Sequence, residues 1–515
     1  MKKHSDSGIL ILENITASAT AFLRRYRIPF CASFFFGLLA YGFAFTNKLV
    51  NHDEVSSLFT KGATVTSGRW GLGALDSIFP NYSMPWIYGL ITISLIALAV
   101  CLMVQMFHIE NRMLQVLLSG CIVVFPSLIG LFGYMFTSSS FALAFFLAVA
   151  SAALLQAGKK RLLIPALGCL VFSLSIYQAY ICVAASLLVL VLIQQLLLDE
   201  SPAAVLRRGI DFVVFLVLGL GLYYLGTQIL LTLTGNQLND YASEKIAFSV
   251  SSVFQGILLA YLNFLRFFTE GFHGLIPTGF SRCLHWILAA STGVLLFLNL
   301  MATKKEPLRV LLVIALATVL PLAVNCMYMI TTPESIHTLV LYGFVAVYLL
   351  AVILADKALS SREPKPLSAV AVNLQTIVMA VIIAVNIYIA NQAYLHLHLR
   401  YENASAFYTS LIADIKMTPD FTEDTKLAII GEYQQPEYYH QQFEQIHSIT
   451  GIYGFVPDSY SKKFFLEYYT GFPMEFASSE EIAEITATAE FEAMAVYPYY
   501  GSLQKIRNIL VVKLS

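Results

Sequence analysis

Charged residues are scarce in this 515-residue chain. Asp, Glu, Lys and Arg make up 12% of it, hydrophobic residues 58%, and the mean hydropathy is +0.71. An average soluble domain has roughly 25% charged residues. The composition therefore predicts a protein whose main solvent is lipid.

Other absences exclude further classes of protein. The net charge is -1, and the sequence contains no concentrated basic face, so no nucleic-acid partner is expected. No Gly-rich phosphate loop follows a strand-like segment, so no nucleotide-binding site is predicted. The seven cysteines form no CxxC pair, and none follows residue 391, which argues against a disulfide framework and a thiolate metal site. Glu334 and His337 lack the i, i+4 spacing of metal ligands, and neither a metal nor a cofactor is predicted.

Long apolar runs dominate what is present. A membrane span needs about 20 mostly apolar residues. No small-residue cleavage site follows the first run, which is therefore predicted to be an uncleaved span. We predict an all-α polytopic membrane protein with eleven transmembrane helices, at residues 28–46, 86–107, 113–133, 139–156, 162–177, 180–198, 210–231, 284–302, 308–330, 338–355 and 369–391.

Lys and Arg predict the orientation, because cytoplasmic loops hold an excess of them. Seventeen lie on the side of the N-terminus, and only six lie on the other side before residue 391: Lys48, Lys61, Arg69, Lys245, Arg266 and Arg282. The N-terminus is therefore expected in the cytoplasm and the C-terminus outside.

Three outward segments are long enough to build a site. They are the loops at residues 47–85 and 232–283 and the segment 392–515, so we predict a transmembrane domain at 1–391 and a small external α/β domain at 392–515. In the second loop, residues 250–268 predict a helix lying in the membrane interface. In the tail, residues 404–415 predict a helix, and 426–430 and 509–513 predict strands.

The first outward loop begins with Asn51-His52-Asp53-Glu54, close to the outer end of the first span. Carboxylates at a membrane boundary suit a general base or a metal ligand that meets a lipid-borne substrate. Asp53 and Glu54 are the candidate catalytic residues, with His52 as a candidate for substrate binding. A solvated loop with an Asp as helix N-cap explains the same residues.

Further polar and aromatic residues are candidates for substrate binding. Arg69 beside Trp70 suits phosphate and sugar contacts, although Trp70 also fits an interfacial aromatic belt. Arg266 and Arg282 suit a phosphate clamp or ordinary lipid headgroup contacts. The candidates at the tip of a short hairpin, where helix–helix hydrogen bonding is the other interpretation, are Tyr177, Gln178 and Tyr180.

The tail is rich in tyrosine. These side chains suit carbohydrate stacking, although packing in the core of the tail explains them as well: Tyr433, Tyr438, Tyr439, Tyr460, Tyr468, Tyr469, Tyr497, Tyr499 and Tyr500.

Several short motifs occur in a familiar order. The acidic pair after the first span is followed by Gly68-Arg69-Trp70, Phe125-Pro126-Ser127, Tyr134-Met135-Phe136 and Ser175-Ile176-Tyr177-Gln178-Ala179-Tyr180. Together, over roughly residues 40–350, they resemble the Gtr-type bacterial glucosyltransferases that modify the O-antigen of lipopolysaccharide. The end of the chain, from Tyr497-Pro498 to Lys513, resembles the external tail of that family.

The resemblance implies a GT-C-like membrane glycosyltransferase of the bacterial inner (cytoplasmic) membrane, whose external C-terminal segment is periplasmic. Such an enzyme takes a sugar, typically glucose, from a polyprenyl-phosphate donor and attaches it to a lipid-linked glycan acceptor on the periplasmic face. A donor synthase and a flippase of the same pathway are then expected as partners. By position, Asp53 is the catalytic carboxylate, Glu54 its neighbour or substitute, and Arg69 a donor or acceptor contact. The family frequently has two aspartates where this chain has Asp-Glu, so which carboxylate acts stays open.

Two other functions fit a polytopic protein. A flippase or transporter of lipid-linked glycans is expected to carry charges within its spans, which here are nearly free of them. A glycan polymerase usually depends on arginine-rich external loops, whereas only six basic residues face outward before the tail. Both are less consistent with the sequence than sugar transfer.

Overall fold

The computed structural model describes residues 16–58, 64–78, 82–238, 250–270, 274–276, 278–302, 306–361, 365–419, 421–422, 424–432, 443–452 and 461–515. This part of the chain is mostly helical, with a small sheet near its C-terminal end. Six residues named above lie outside the described residues: Lys61, Lys245, Tyr433, Tyr438, Tyr439 and Tyr460.

The first predicted span forms a helix, and the loop after it carries two short ones. The second predicted span forms a helix that begins at Pro85, a position where a missing N–H costs no hydrogen bond. The four helices are α1 (Arg27–Thr46), α2 (His52–Ser56), α3 (Trp70–Ile78) and α4 (Pro85–Met106).

The third predicted span, 113–133, is broken in the middle. It consists of α5 (Arg112–Val123) and α6 (Pro126–Leu131), because Pro126 lacks the N–H that would bind the carbonyl of Ile122. The carbonyls near the break are used by tyrosines from distant helices. The Tyr342 hydroxyl donates to the Ile122 carbonyl over 2.9 Å, and the Tyr41 hydroxyl donates to that of Val123 over 2.7 Å.

A compact hairpin follows α7 (Met135–Gln156). The predicted spans 162–177 and 180–198 are present as α8 (Leu163–Ile176) and α9 (Ile181–Leu197), joined by a short 3₁₀ turn at Gln178–Tyr180. Residues 178–197 are almost entirely buried inside the protein. The tip of this hairpin is therefore packed among other helices.

The middle of the chain contains α10 (Pro202–Thr234), α11 (Val250–Thr269), α12 (Gly279–Ala302), α13 (Pro307–Val324) and α14 (Val345–Leu359). Helix α11 packs against the end of α13 and the start of α14. The Asn325 side-chain amide donates to the Ala260 carbonyl over 3.0 Å, and Phe267 stacks on Phe344 at 4.6 Å. These contacts place α11 at one end of the bundle, and its position in the membrane interface stays a prediction.

One helix, α15 (Pro366–Met417), contains both the last predicted span, 369–391, and the predicted helix 404–415. The predicted boundary at residue 391/392 therefore lies inside a continuous helix. Asn391 donates to the carbonyl of Leu39, and His398 meets the ring of Phe43 at 5.5 Å. His398 of α15 is therefore at the same height in the bundle as Phe43, which lies three residues before the end of α1.

The tail contains a three-stranded sheet with three short helices. The predicted strands are confirmed as β1 (Lys426–Ile430) and β3 (Ile509–Lys513), which pair in parallel, and the sequence missed β2 (Leu503–Ile506), which pairs antiparallel with β3. The helices are α16 (Lys462–Thr470), α17 (Ser479–Thr486) and α18 (Ala489–Ala493).

Ten helical stretches of the described chain are long and apolar enough to cross a membrane. The prediction of eleven differs in three places. Helices α6 and α7 together form one continuous helical stretch, α11 qualifies by composition, and α5 and α8 are shorter than a span. The protein is therefore a polytopic helical membrane protein, and its exact number of crossings stays a prediction.

Candidate active site

Helix α2 carries the predicted carboxylates, and Asn51 fixes its start. The side-chain oxygen of Asn51 accepts from the Glu54 backbone N–H over 2.8 Å, which is a standard N-cap. Its amide donates to the Gly133 carbonyl over 2.7 Å. Asn51 is buried, so this single side chain both starts α2 and ties it to the segment before α7.

Glu54 is completely buried and accepts hydrogen bonds from several groups. The Lys48 ammonium lies 2.5 Å from one carboxylate oxygen, which also accepts from the Ser83 hydroxyl. The other oxygen accepts from the backbone N–H of Phe136 over 3.2 Å. Glu54 therefore links the start of α2, the loop before α4 and the first turn of α7.

Glu54 also lies close to the tail. Burial raises the pKa of Glu54, and Lys48 with the backbone donors of Phe136 and Met135 opposes part of that rise. Burial is likewise the main cause of a raised pKa at Tyr469, and the negative charge of Glu54 adds to it. The carboxylate thus sits between the transmembrane helices and α16 of the tail.

Asp53 occupies the opposite kind of environment. Its side chain is 43% exposed, and that of His52 is 41% exposed. A carboxylate oxygen of Asp53 lies 3.6 Å from Nε2 of His52. Of the two predicted catalytic carboxylates, only Asp53 is therefore open to an incoming molecule.

Arg69 lies over two aromatic rings. Its guanidinium carbon is 5.5 Å from the ring centre of Tyr177 and 5.9 Å from that of Phe141. The two rings stack on each other at 4.4 Å. Such cation–π contacts position a guanidinium without neutralising it, so Arg69 keeps its charge for an anion.

Hydrogen bonds hold the hairpin tip against the first loop. The Gln178 amide donates to the Tyr223 hydroxyl over 2.8 Å, and that hydroxyl donates to the Gly68 carbonyl over 3.1 Å. Gly68 adopts a φ of +73°, in the left-handed region that favours glycine. Tyr223 of α10 therefore joins the segment before Arg69 to the tip that carries Tyr177.

The remaining aromatic candidates have packing roles. Trp70 is half-buried, and its indole ring lies against Gly226 of α10. A Cβ added to Gly226 would be 3.4 Å from the nearest atom of that ring. Tyr180 is buried and meets the rings of Phe145 and Tyr342 edge-on or tilted. Both rings therefore pack against neighbouring helices, and contact of either residue with a substrate stays a prediction.

Helix α7 brings the two parts of the candidate site together. Its first turn binds Glu54 through the Phe136 N–H, and Phe141 supports Arg69. Five residues of helix separate these points, a rise of about 7.5 Å. The acidic helix α2 and the Arg69 cluster therefore share one end of α7.

Arg266 and Arg282 make local contacts. Arg266 lies 3.4 Å from Glu270 and donates to the side chain of Asn263 on its own helix. Arg282 donates to the Thr269 carbonyl over 3.0 Å, which joins the start of α12 to the end of α11. These contacts stabilise the helix ends, and a phosphate clamp by either arginine stays a prediction.

Sequence reasoning missed three residues of this region. Lys48 was used only to predict orientation, and Ser83 carried no signal, although both bind Glu54. Asp76 of α3 is 1% exposed and close enough to Tyr88 to interact with it electrostatically. Only Lys48, six residues before Glu54, was detectable from spacing.

Metal binding would need several ligating side chains close together. No group of three His, Cys, Asp or Glu side chains in the described part of the chain is arranged to hold a metal ion. The site described above consists of one open carboxylate, one buried ion pair and one arginine on an aromatic surface.

A family model described as glucosyl transferase GtrII matches residues 42–350, more than half of the chain. The chain belongs to this family. No curated protein and no solved structure gives a significant match. The predicted resemblance to Gtr-type glucosyltransferases is thereby confirmed, and the protein is a transferase of glucosyl groups.

The GtrII match covers all of the residues predicted for the site, from His52 to Arg282. It ends before α15 and the tail, so Tyr469 and the rest of α16 lie outside the matched region. In this GtrII chain, residues beyond the family match therefore help to bury Glu54 of the first loop.

Proposed function

We propose that this GtrII-family protein transfers a glucosyl residue from a polyprenyl-phosphate donor to a lipid-linked surface glycan such as O-antigen. The reaction takes place on the periplasmic face and inverts the anomeric carbon. Asp53 is the general base. A donor synthase and a flippase supply the donor to that face.

The observation that carries this proposal is the contrast between the two neighbouring carboxylates. The Asp53 side chain is 43% exposed, whereas that of Glu54 is buried against Lys48. A general base must come within about 3 Å of the proton that it removes. Asp53 can do so directly, while Glu54 would have to leave its ammonium partner first.

Glu54 has a positioning role in this proposal. Its contacts with Lys48, Ser83 and Phe136 fix the start of α2 against three separate segments. Asp53 is the adjacent residue, so the same contacts set its place and direction. Catalysis needs this fixation, because reacting atoms must be held within a fraction of an ångström.

The reaction needs one base and one anion-binding group. The acceptor hydroxyl oxygen attacks the anomeric carbon, the bond from that carbon to the donor phosphate breaks, and Asp53 accepts the hydroxyl proton. The polyprenyl phosphate leaves with the electron pair of the broken bond. Arg69, held over Tyr177 and Phe141, stabilises this leaving phosphate with paired N–H donors.

The test is transfer of labelled glucose from a polyprenyl-phosphate donor in membranes with matched expression. Asp53→Asn is compared with Asp76→Asn, Glu54→Gln and the control Glu402→Gln, whose exposed carboxylate pairs with His398. Loss of a general base is expected to lower the rate about 10²–10⁴-fold. Asp53→Asn should show this loss without any loss of folded protein.

Glu54→Gln should lower both the rate and the yield of folded protein, whereas Glu402→Gln should behave as wild type. A wild-type rate for Asp53→Asn would refute the assignment of the base. A full loss in Asp76→Asn with an active Asp53→Asn would move that role to α3. No transfer from any polyprenyl-phosphate sugar by wild-type membranes would refute the proposed donor.

A further inference from the structure

Two cysteines that lie far apart in the sequence meet inside the bundle. The sulfur atoms of Cys182 and Cys326 are 3.2 Å apart, although 144 positions separate them in the chain. Cys182 is 1% exposed and Cys326 is 8% exposed. At this distance a small movement of the two side chains would bring the sulfur atoms within bonding distance of each other.

The pair lies at the end of the bundle that faces the tail. Cys182 is in the first turn of α9, directly after the hairpin tip whose Gln178 contacts the first loop. A Cβ placed on Gly343 would lie 3.1 Å from Cβ of Cys182, and the nearby Thr338 hydroxyl donates to the Ser448 carbonyl in the tail. In the predicted orientation this end faces the periplasm.

We propose that Cys182 and Cys326 form a disulfide in the mature protein. The sulfurs of a disulfide are about 2 Å apart, so each must move by roughly half an ångström. The compartment outside the bacterial inner membrane is oxidising, which allows such a bond to form and persist.

The bond forms by exchange with a protein disulfide of a thiol oxidase in that compartment. One cysteine, as its thiolate, attacks the oxidant disulfide and forms a mixed disulfide. The other cysteine then attacks the first and releases the oxidant as a dithiol. Two protons and two electrons leave the pair, and the oxidant takes them up, before folding buries the two sulfurs.

The cross-link would join the hairpin tip of the candidate site to the segment that follows α13. Cys182 follows the tip that bears Tyr177 and Gln178, and Cys326 follows Asn325, which anchors α11 through the Ala260 carbonyl. A covalent bond between them fixes the tip relative to the ends of α11 and α13. Because the tip bears Tyr177, the same bond would restrict the movement of the aromatic surface under Arg69.

The test is a count of free thiols in the intact protein. Membranes are quenched in acid and denatured, and free cysteines are labelled with a maleimide mass tag before or after reduction. Of the seven cysteines, wild type should bind five tags without reduction and seven after it. Peptide mass spectrometry without reduction should detect a cross-linked peptide that contains Cys182 and Cys326.

Variants make the assignment specific. Cys182→Ala and Cys326→Ala should each bind six tags, whether or not the protein is reduced. The matched control Cys121→Ala, at a buried cysteine elsewhere in the bundle, should still gain two tags on reduction. Seven tags on unreduced wild type would overturn the proposal.

Stability provides a second measurement that does not depend on transferase activity. The melting midpoints of Cys182→Ala, Cys326→Ala and the double variant should fall by similar amounts, because each loses the same bond once. Additive losses would indicate two independent packing contacts and would contradict a shared bond. Failure of the thiol count leaves the proposed sugar transfer untouched, since neither assay uses a sugar donor.

Discussion

At the scale of single residues, adjacent carboxylates in this chain have different environments. Glu54 is buried among an ammonium, a hydroxyl and backbone donors, whereas the Asp53 side chain is 43% exposed and lies 3.6 Å from His52. Removing one partner of a buried ion pair typically costs 3–5 kcal/mol, because the other charge is left without compensation. A change at Lys48 should therefore affect folding before it affects chemistry.

The pKa of Glu54 predicts a pH dependence of stability. Burial raises it above the ordinary glutamate value of about 4.5. The window lies between the pKa of Glu54 in the unfolded chain, about 4.5, and its higher pKa in the folded protein. Within it the folded chain keeps a proton that the unfolded chain has released. The stability that this proton contributes is therefore lost as the pH rises through the window. The difference in melting midpoint between wild type and Glu54→Gln should become less favourable to wild type from pH 4.5 upward. A difference that stays constant with pH would contradict a raised pKa.

Arg69 should matter more for substrate than the other outward arginines. Its guanidinium lies on Tyr177 and Phe141, a contact that the ammonium of lysine reproduces poorly. Arg69→Lys is expected to lower kcat/KM for the donor about 10-fold or more, the cost of losing one bidentate phosphate contact. Arg266→Lys and Arg282→Lys, at arginines with local partners, serve as controls in the same transfer assay. Equal losses in all three would contradict a special role for Arg69.

At the scale of elements, polar contacts made by tyrosines hold broken helices together. The hydroxyls of Tyr41 and Tyr342 satisfy carbonyls next to the break before Pro126, and Tyr394 donates to the Ile129 carbonyl within α6. In a bilayer an unsatisfied carbonyl has no water to bind. The break between α5 and α6 is thus tolerated because other helices supply the missing donors.

Tyr223→Phe tests one such contact near the site. The change removes the hydroxyl that accepts from Gln178 and donates to the Gly68 carbonyl. Leaving buried partners unsatisfied typically costs about 1–3 kcal/mol. We expect a lower melting midpoint and slower transfer, with Tyr224→Phe as the matched control, since Tyr224 is 60% exposed on the same helix. Equal melting midpoints and rates in the two variants would contradict the bridging role.

Sequence patterns predicted the elements better than their contacts. Length and hydropathy located the apolar helices, and short continuous apolar runs in the tail located β1 and β3. The apolar run that ends at residue 391 did not predict that α15 continues beyond it, because hydropathy indicates where a chain leaves the lipid and not where its helix ends. Nor could spacing predict that Ser83 and Tyr469 would surround Glu54, since such contacts depend on how distant segments fold together.

At the scale of the whole molecule, the tail and the first loop share one apolar core. Val50 and Val55, on either side of Asp53, are buried in the same cluster as Tyr408 of α15 and Phe465 of α16. The tail therefore supports α2 directly. A candidate active site in the family-matched region depends on residues outside it.

Phe465→Ala should weaken that support. Phe465 is fully buried and contacts the rings of Tyr401, Tyr408 and Tyr469. Truncating a buried Phe typically costs 3–5 kcal/mol, and here the cavity would open beneath α2. We expect less folded protein and slower transfer, whereas Tyr500→Ala, at a fully exposed side chain, should match wild type in both assays. Wild-type transfer by Phe465→Ala would show that α2 does not need the tail.

The unbroken course of α15 makes the tail sensitive to helical phase. Each residue of an α-helix advances the axis by 1.5 Å and turns it by about 100°. One extra residue inserted near His398 would leave the lipid-embedded half in place but rotate the face of Tyr408 away from α16. Each insertion or deletion in this stretch would therefore change both the height and the rotation of the tail relative to the transmembrane helices.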